Sequence, residues 1–222
     1  MSLLPPAIRP MRRADVPRIL ELEAASFPAF PPDRRWRPEQ LEAHIRVFPA
    51  GQWVAEARGA ILGSCTNLRL RLEDALREHR WIEITGHGML TTHRPDGDTL
   101  YGTEIMVHPD ARRQGIAKRL YQTRKDYVIK EGLRAFVSGG RIPGYERFAD
   151  HMTAQAYVAR VIAGLVEDRV LTPQLKAGMR VAGVLENYLT DPRSHNHATI
   201  LLWLPAWMPA PKPEELDEVG RE

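Results

Sequence analysis

Cysteine is almost absent from this chain, and Cys65 is the only one. An internal disulfide is excluded, and a reducing, cytoplasmic setting is expected. Cys65 lies in an apolar stretch, which predicts a small buried residue; no histidine suggests itself as a partner for a nucleophile. Excess charge of one sign is lacking too. The 31 basic and 28 acidic residues leave a formal charge of +3, too balanced to argue for nucleic acid as a partner. No run of about 18 apolar residues occurs, so no membrane-spanning helix is expected. The opening Met-Ser-Leu-Leu-Pro-Pro has no charged segment leading into an apolar one, so no signal peptide is expected. His195-x-His197 finds no third ligand at metal-binding spacing, so no metal is expected. There is no G-x-x-x-x-G-K-[ST], and no G-x-G-x-x-G opens a helix, which argues against P-loop and Rossmann nucleotide sites. No internal repeat is visible.

What is present is an ordinary globular composition, with 43% hydrophobic and 27% charged residues in 222. That suits one domain with an insertion. The most informative stretch is Val107 to Ala117. An apolar run, Ile105, Met106 and Val107, precedes a Pro, two Arg and then Gly115, which opens a long helical pattern. This reads as strand, tight turn, helix. A helix start leaves backbone N–H groups unpaired, and with the positive end of the helix dipole they suit a phosphate or pyrophosphate. Gly115 lets an anion approach with no Cβ in the way, and Arg112 and Arg113 add positive charge. The plain alternative is a strand-to-helix turn with exposed arginines.

The remaining pattern gives an element order. Ala7 to Arg12 reads as a strand and Val16 to Ala25 as a helix capped by Asp15. A second helix starts at Pro38 and carries Leu41, Ile45 and Phe48. Gln52 to Ala57 and Ala60 to Leu70 form a hairpin around Arg58-Gly59. Residues 73–98 read as an insertion with a helical turn over Glu73 to Arg80, alternating runs at Trp81 to Thr85 and Met89 to His93, and a turn at Pro95-Asp96-Gly97. Arg69, Arg71, Arg77 and Arg80 read as a solvated face. Asp98 to Val107 is the central strand, Gly115 to Lys130 a helix, and Arg134 to Ser138 a strand. A loop over Gly139 to Gly144 leads to a helical stretch from Tyr145 to Leu165. A short helix, Leu171 to Lys176, stops at Gly178. Met179 to Tyr188 and Ala198 to Leu204 are the last strands. Residues 1–204 are read as one domain and 205–222 as a loosely attached Pro-rich, acidic tail.

The motif Arg112-x-x-Gly115-x-Ala117 and the order β-α-α-β-β-(insert)-β-α-β-α-β-β resemble the GCN5-related N-acetyltransferases (GNATs). The likeness spans roughly residues 7–204. The stretches Asp98 to Glu104, Gly139 to Tyr145 and Val184 to Tyr188 resemble the GNAT domains found fused to carbon–nitrogen hydrolases. The resemblance implies an α/β (α+β) fold: a mixed, mostly antiparallel sheet of about seven strands flanked by helices, with the insertion before the fourth core strand. It also implies acetyl-CoA as co-substrate and an amine as acceptor. Ile105, Met106 and Val107 would pair with the pantetheine arm, with a backbone N–H near Val107 for the oxyanion. Arg112, Arg113, Gln114, Gly115, Ile116, Ala117 and Lys118 would hold the pyrophosphate.

The resemblance further implies a catalytic base at Glu104, just before the cofactor-binding edge. Its alternatives are an ion-paired or a solvent-facing strand residue. For the acid, the family Tyr four residues before the Gly of a Y-x-x-x-G-F segment is missing, since Gln174 stands four before Gly178. Tyr145, Tyr157 and Tyr188 are the substitutes considered, and each also suits a buried core role. Trp81, Ile82 and Ile84 predict that residues 73–98 line the acceptor side of the cleft or a homodimer contact. A non-catalytic acyl-CoA-binding or sensing module is the competing reading. It needs the same loop and no working acid or base.

Overall fold

The computed structural model describes residues 5–28 and 35–209. Strands β1 (Ala7–Pro10), β2 (Trp53–Ala57), β3 (Ala60–Leu70), β4 (Thr99–Val107), β5 (Ala135–Arg141), β6 (Arg180–Leu185) and β7 (Ala198–Trp203) form a seven-stranded sheet in the order β1-β2-β3-β4-β5-β7-β6. Every neighbouring pair is antiparallel except β4 and β5. The β2–β3 hairpin turns on Arg58 and Gly59, at φ 51° and 76°; two left-handed residues match the twist of the strands. The parallel β4–β5 pair needs a crossover, and α5 (Ile116–Lys130) supplies it.

Each face of the sheet has its own layer. Helices α1 (Val16–Ser26) and α2 (Pro38–Val47), with the insertion's α3 (Leu72–Leu76) and α4 (Trp81–Ile84), cover one face. Helices α5, α6 (Ala154–Ile162) and α7 (Leu171–Lys176) cover the other. Ile19 and Leu41 on one side and Leu120 on the other are wholly buried. Each such side chain contributes about 1.5–3 kcal/mol by transfer from water.

Several local expectations are corrected. Asp15 does not cap α1 with its side chain. Its buried carboxylate instead takes Arg9 at 2.7 Å, Arg18 at 3.0 Å and the Arg12 N–H at 2.8 Å. The alternating runs at Trp81 and Met89 are not strands. They become α4 and a turn over Gly86–Leu90 in which His87 and Gly88 have positive φ. The physical reason is that β3, which leads into the insertion, is already paired on both sides, by β2 and β4, so the insertion has no open flank of β3 to join. Arg69 is not a solvated residue, for its guanidinium holds the Gly97 carbonyl at 2.6 Å and pins the insertion's end. β5 runs on to Arg141, through the predicted loop. The predicted helix from Tyr145 is a single 3-10 turn, and α6 begins only at Ala154. Thr153 caps it there, its Oγ1 accepting the Ala156 N–H at 3.2 Å. Residues 205–209 form a turn, and the rest of the predicted tail lies outside the described residues.

Two irregularities of β4 position everything that follows. β4 pairs with β5 only over Thr99–Gly102, so beyond Gly102 the two strands part. The β3–β4 register also jumps between Thr66↔Glu104 and Asn67↔Gly102, leaving Thr103 as an extra residue. This bulge reverses the alternation of side chains. Leu100 packs on the α5 face, and without the bulge Met106 would share that face. Instead Ile105 packs there, and Met106 joins the α1–α2 cluster. Glu104, two before Met106, is carried to the α1–α2 side with it.

Candidate active site at the parting of two strands

The turn after β4 has the shape the sequence predicts. A 3-10 turn over Pro109–Ala111 ends at Arg112. Arg113 and Gly115 then adopt left-handed φ values of 64° and 77°, and α5 starts at Ile116. Among the described residues, Arg119 is the first of the new helix to find a backbone partner, Gly115 O at 3.1 Å. The N–H groups of Arg113, Gln114, Gly115, Ile116, Ala117 and Lys118 precede it. Such alternating turn geometry at a helix start forms a concave anion cradle. A Cβ on Gly115 would meet nothing within 4 Å, so the space in front of the turn is open. Arg112, Arg113, Gln114, Ala117 and Lys118 are exposed, while Ile116 is buried beneath them. Arg112 also reaches the Ser26 carbonyl, at 3.4 Å, which ties the turn to the end of α1.

The parted stretch of β4 offers a backbone edge. His108 N–H pairs with Leu62 O at 2.9 Å. By the alternation of an antiparallel ladder, Val107 and Ile105 turn their N–H groups the other way, into the parting. Ser26 Oγ reaches the Val107 carbonyl at 3.3 Å from that direction.

Glu104 lies at the inner end of this edge. Among the described residues, neither of its carboxylate oxygens touches solvent or finds a hydrogen-bond partner, although the residue as a whole is partly exposed. The carboxylate is therefore neither ion-paired nor solvent-facing among the described residues. Burial pushes its pKa up to about 8; the charge of Glu23 adds to the rise, and Arg124 and Arg141 oppose it. Glu23, on α1, accepts the Trp36 N–H with both oxygens, at 2.9 and 3.1 Å. Burial pushes Glu23 up to about 7, against that hydrogen bond and the charge of Arg35.

Aromatic rings wall the same region. Trp36 packs edge-on against His44 and Trp81, with ring centroids 5.0 and 5.4 Å apart. Trp81, from the insertion, donates its indole N–H to the carbonyl of the bulge residue Thr103, at 3.1 Å. His44 Nε2 lies 2.8 Å from the Gly88 carbonyl, so that nitrogen carries the proton. Burial holds His44 down at about 4, and it stays neutral. Across the sheet, Arg124 from α5 donates to the carbonyls of Glu104 and Thr66.

The hydroxyls of Tyr145, Tyr157 and Tyr188 make no hydrogen bond to this group among the described residues; Tyr188 meets it through its backbone carbonyl, which accepts the Trp81 N–H at 2.7 Å. Tyr145 donates to the Met152 carbonyl at 2.8 Å, and Tyr157 donates to Asp168 at 2.9 Å. The Tyr188 hydroxyl pairs with that of Tyr101 at 3.0 Å, and Tyr101 in turn with His79 at 2.8 Å. Sequence reasoning missed Glu23, Trp36 and Arg124. Two of them carried a signal: Glu23 stands four after Ile19, and Arg124 four after Leu120, on the apolar faces of their helices. A charged residue on a buried stripe requires a partner or a task.

Comparisons with known proteins bear on the family of this chain. The family model described as "Acetyltransferase (GNAT) family" matches residues 16–148. The chain is 40% identical over 197 residues to "Probable hydrolase YhcX" of Bacillus subtilis, covering 88% of this chain and 38% of that one. It is 36% identical to "Uncharacterized N-acetyltransferase YkwB" of the same organism, covering 88% of this chain and 87% of that one. It thus spans well under half the length of the first relative and nearly all of the second. Among solved structures, the "GphF GNAT-like decarboxylase in complex with isobutyryl-CoA" superposes with a TM-score of 0.75 at 24% identity, covering 89% of this chain and 98% of that one. At that identity the likeness is one of fold.

Proposed function

This chain belongs to the acetyltransferase (GNAT) family, and from that premise we propose that it transfers an acetyl group from acetyl-CoA to an amine. The observation that carries the reading is the junction of an open anion cradle at Gly115 with an unpaired β4 edge that ends at a buried, unpartnered carboxylate. The residues present fit acetyl-CoA. The N–H groups from Arg113 to Lys118 suit its pyrophosphate, and Arg112 and Arg113 add charge. The edge of Ile105, Met106 and Val107 suits the amide-bearing pantetheine arm. Bound there, acetyl-CoA would supply a thioester carbonyl open to attack.

The protein's own groups would do the rest. An amine attacks only as the free base, and Glu104 takes its proton. A carboxyl at about 8 is a strong enough base near neutral pH, because proton transfer is most effective when the pKa lies near the working pH. The Val107 N–H, turned into the parting, suits the charge that develops on the carbonyl oxygen. Trp36, Trp81 and Glu23 line the approach of the acceptor.

Calorimetry with CoA, followed by a screen of primary amines for thiol release from acetyl-CoA, tests this. CoA binding with turnover of at least one amine supports the transferase. CoA binding with no turnover across the screen would favour the non-catalytic acyl-CoA module.

A further inference from the structure

Thioester aminolysis leaves a sulfur that needs a proton, and Glu104 is on the wrong side of the sheet to give it. The bulge carries Glu104 to the α1–α2 face, so a donor to the departing group belongs on the α5 face. The tyrosines named from the sequence are committed: Tyr145 donates to Met152 O, Tyr157 to Asp168, and Tyr188 pairs with Tyr101. Tyr121 is different. It lies on the buried face of α5, and its hydroxyl accepts a hydrogen bond from Gln174 Nε2 at 3.1 Å. An oxygen fixed as acceptor keeps its own proton to give.

The surroundings place this hydroxyl beneath the parting of β4 and β5. Gln174 Oε1 would lie 2.7 Å from a Cβ on Gly140, which is beyond the last β4–β5 pair, Gly102↔Ser138. On the β4 side, Arg124 would lie about 3.0 Å from a Cβ on Gly102, and its guanidinium is 5.7 Å from the Tyr121 ring centre. The two glycines keep side chains out of the gap that Tyr121, Gln174 and Arg124 floor. Among the described residues, Gln174 Oε1 itself is buried with no partner.

We propose that Tyr121, fixed by Gln174, is a catalytic residue that donates its phenolic proton to the departing thiolate, from the opposite side of the sheet to Glu104. The inference rests on the transferase reading above. The balance is simple. The amine nitrogen forms a bond to the acetyl carbon, and the carbon–sulfur bond breaks with its electron pair on sulfur. The amine proton goes to Glu104, and the Tyr121 proton goes to sulfur. The tyrosinate, beside the Arg124 cation, is then reprotonated from solvent as Glu104 releases its proton. Burial raises the Tyr121 pKa, while Arg124 and the Gln174 hydrogen bond oppose the rise.

Free CoA gives a test that needs no acceptor. The thiol of bound CoA is titrated through its ultraviolet thiolate absorbance in the wild type, Tyr121→Phe and Gln174→Met, with calorimetry alongside. A phenol that donates to sulfur stabilises the thiolate and lowers the thiol pKa. Tyr121→Phe keeps the ring and should raise that pKa by about one unit, a tenfold loss of acidity, with CoA affinity unchanged. Gln174→Met, which only unfixes the hydroxyl, should give a smaller rise in the same direction. Equal thiol pKa values in all three CoA-bound proteins would overturn the assignment while leaving the transferase reading standing. Failure of the wild type to bind CoA would overturn that reading and this inference together.

Discussion

Glu104 owes its chemistry to where its charge must go. Among the described residues both oxygens are buried without a partner, so ionisation is helped there only by the fields of Arg124 and Arg141, and Glu23 opposes it. Glu104→Gln keeps the shape and removes the base. We expect kcat to fall about 10²- to 10⁴-fold, with the KM for acetyl-CoA little changed because the cradle lies beyond the far end of the strand. Steady-state kinetics on any amine found to react will check this, and a near-normal kcat would exclude Glu104 as the base. Glu23 gives a sharper measurement. After burial, its charge is the largest influence raising Glu104, so Glu23→Gln should lower the Glu104 pKa. The rise of rate with pH should then have its midpoint below the wild-type value near 8. The ionisation of the amine is common to both proteins, so the difference between the two profiles isolates the carboxyl. The charged groups bearing on it are Glu23 from α1, Arg124 from α5 and Arg141 from β5, with the buried thiol of Cys65 on β3 beside them. An unshifted midpoint would mean that Glu23 acts only through its hold on Trp36.

At the scale of elements, one extra residue in β4 decides which helices face Glu104. The anion cradle depends on less. Gly115 has φ +77° and open space where a Cβ would stand, so a substituted protein pays only the strain of a left-handed residue, on the order of 1 kcal/mol. Gly115→Trp should therefore fold and yet bind CoA at least tenfold more weakly, about 1.4 kcal/mol or more. Circular dichroism and calorimetry on the same sample will show both, and an unchanged affinity would remove the cradle from the CoA site. The insertion touches the cleft through α4. Trp81 holds the bulge carbonyl of Thr103 and packs on Trp36. Trp81→Ala should raise the KM for the amine while CoA affinity stays constant. A change confined to CoA affinity would argue instead that the insertion supports the cofactor edge.

For the whole molecule, the buried carboxyls make stability depend on pH. Glu104 and Glu23 are raised from 4.5 to about 8 and about 7. A raised folded pKa means that the stabilisation from the protonated form is complete below about 4.5 and is lost as pH climbs through 7 and 8. His44 and His79 are lowered from 6.5 to about 4, and their contribution is complete above 6.5 and lost as pH falls toward 4. The two effects oppose one another below 6.5, and the carboxyls act alone above it. The Tm should therefore decline between pH 6.5 and 8 in the wild type and decline less in Glu104→Gln; parallel melting curves across that window would contradict the burial. The element order, the hairpin at Arg58-Gly59 and the strand–turn–helix around Gly115 were legible in the sequence, because each rests on local periodicity or on turn-forming glycine. The insertion's form and the length of β5 were not, because they depend on which sheet edges are already taken. Nor could spacing alone identify Tyr121 over three other tyrosines, since what separates them is whether a distant partner takes the hydroxyl proton. The sequence by itself determined the fold and the turn at Gly115. The tertiary structure decided which side of the sheet each chemical group faces, because a bulge reverses alternation without leaving a mark on composition or period.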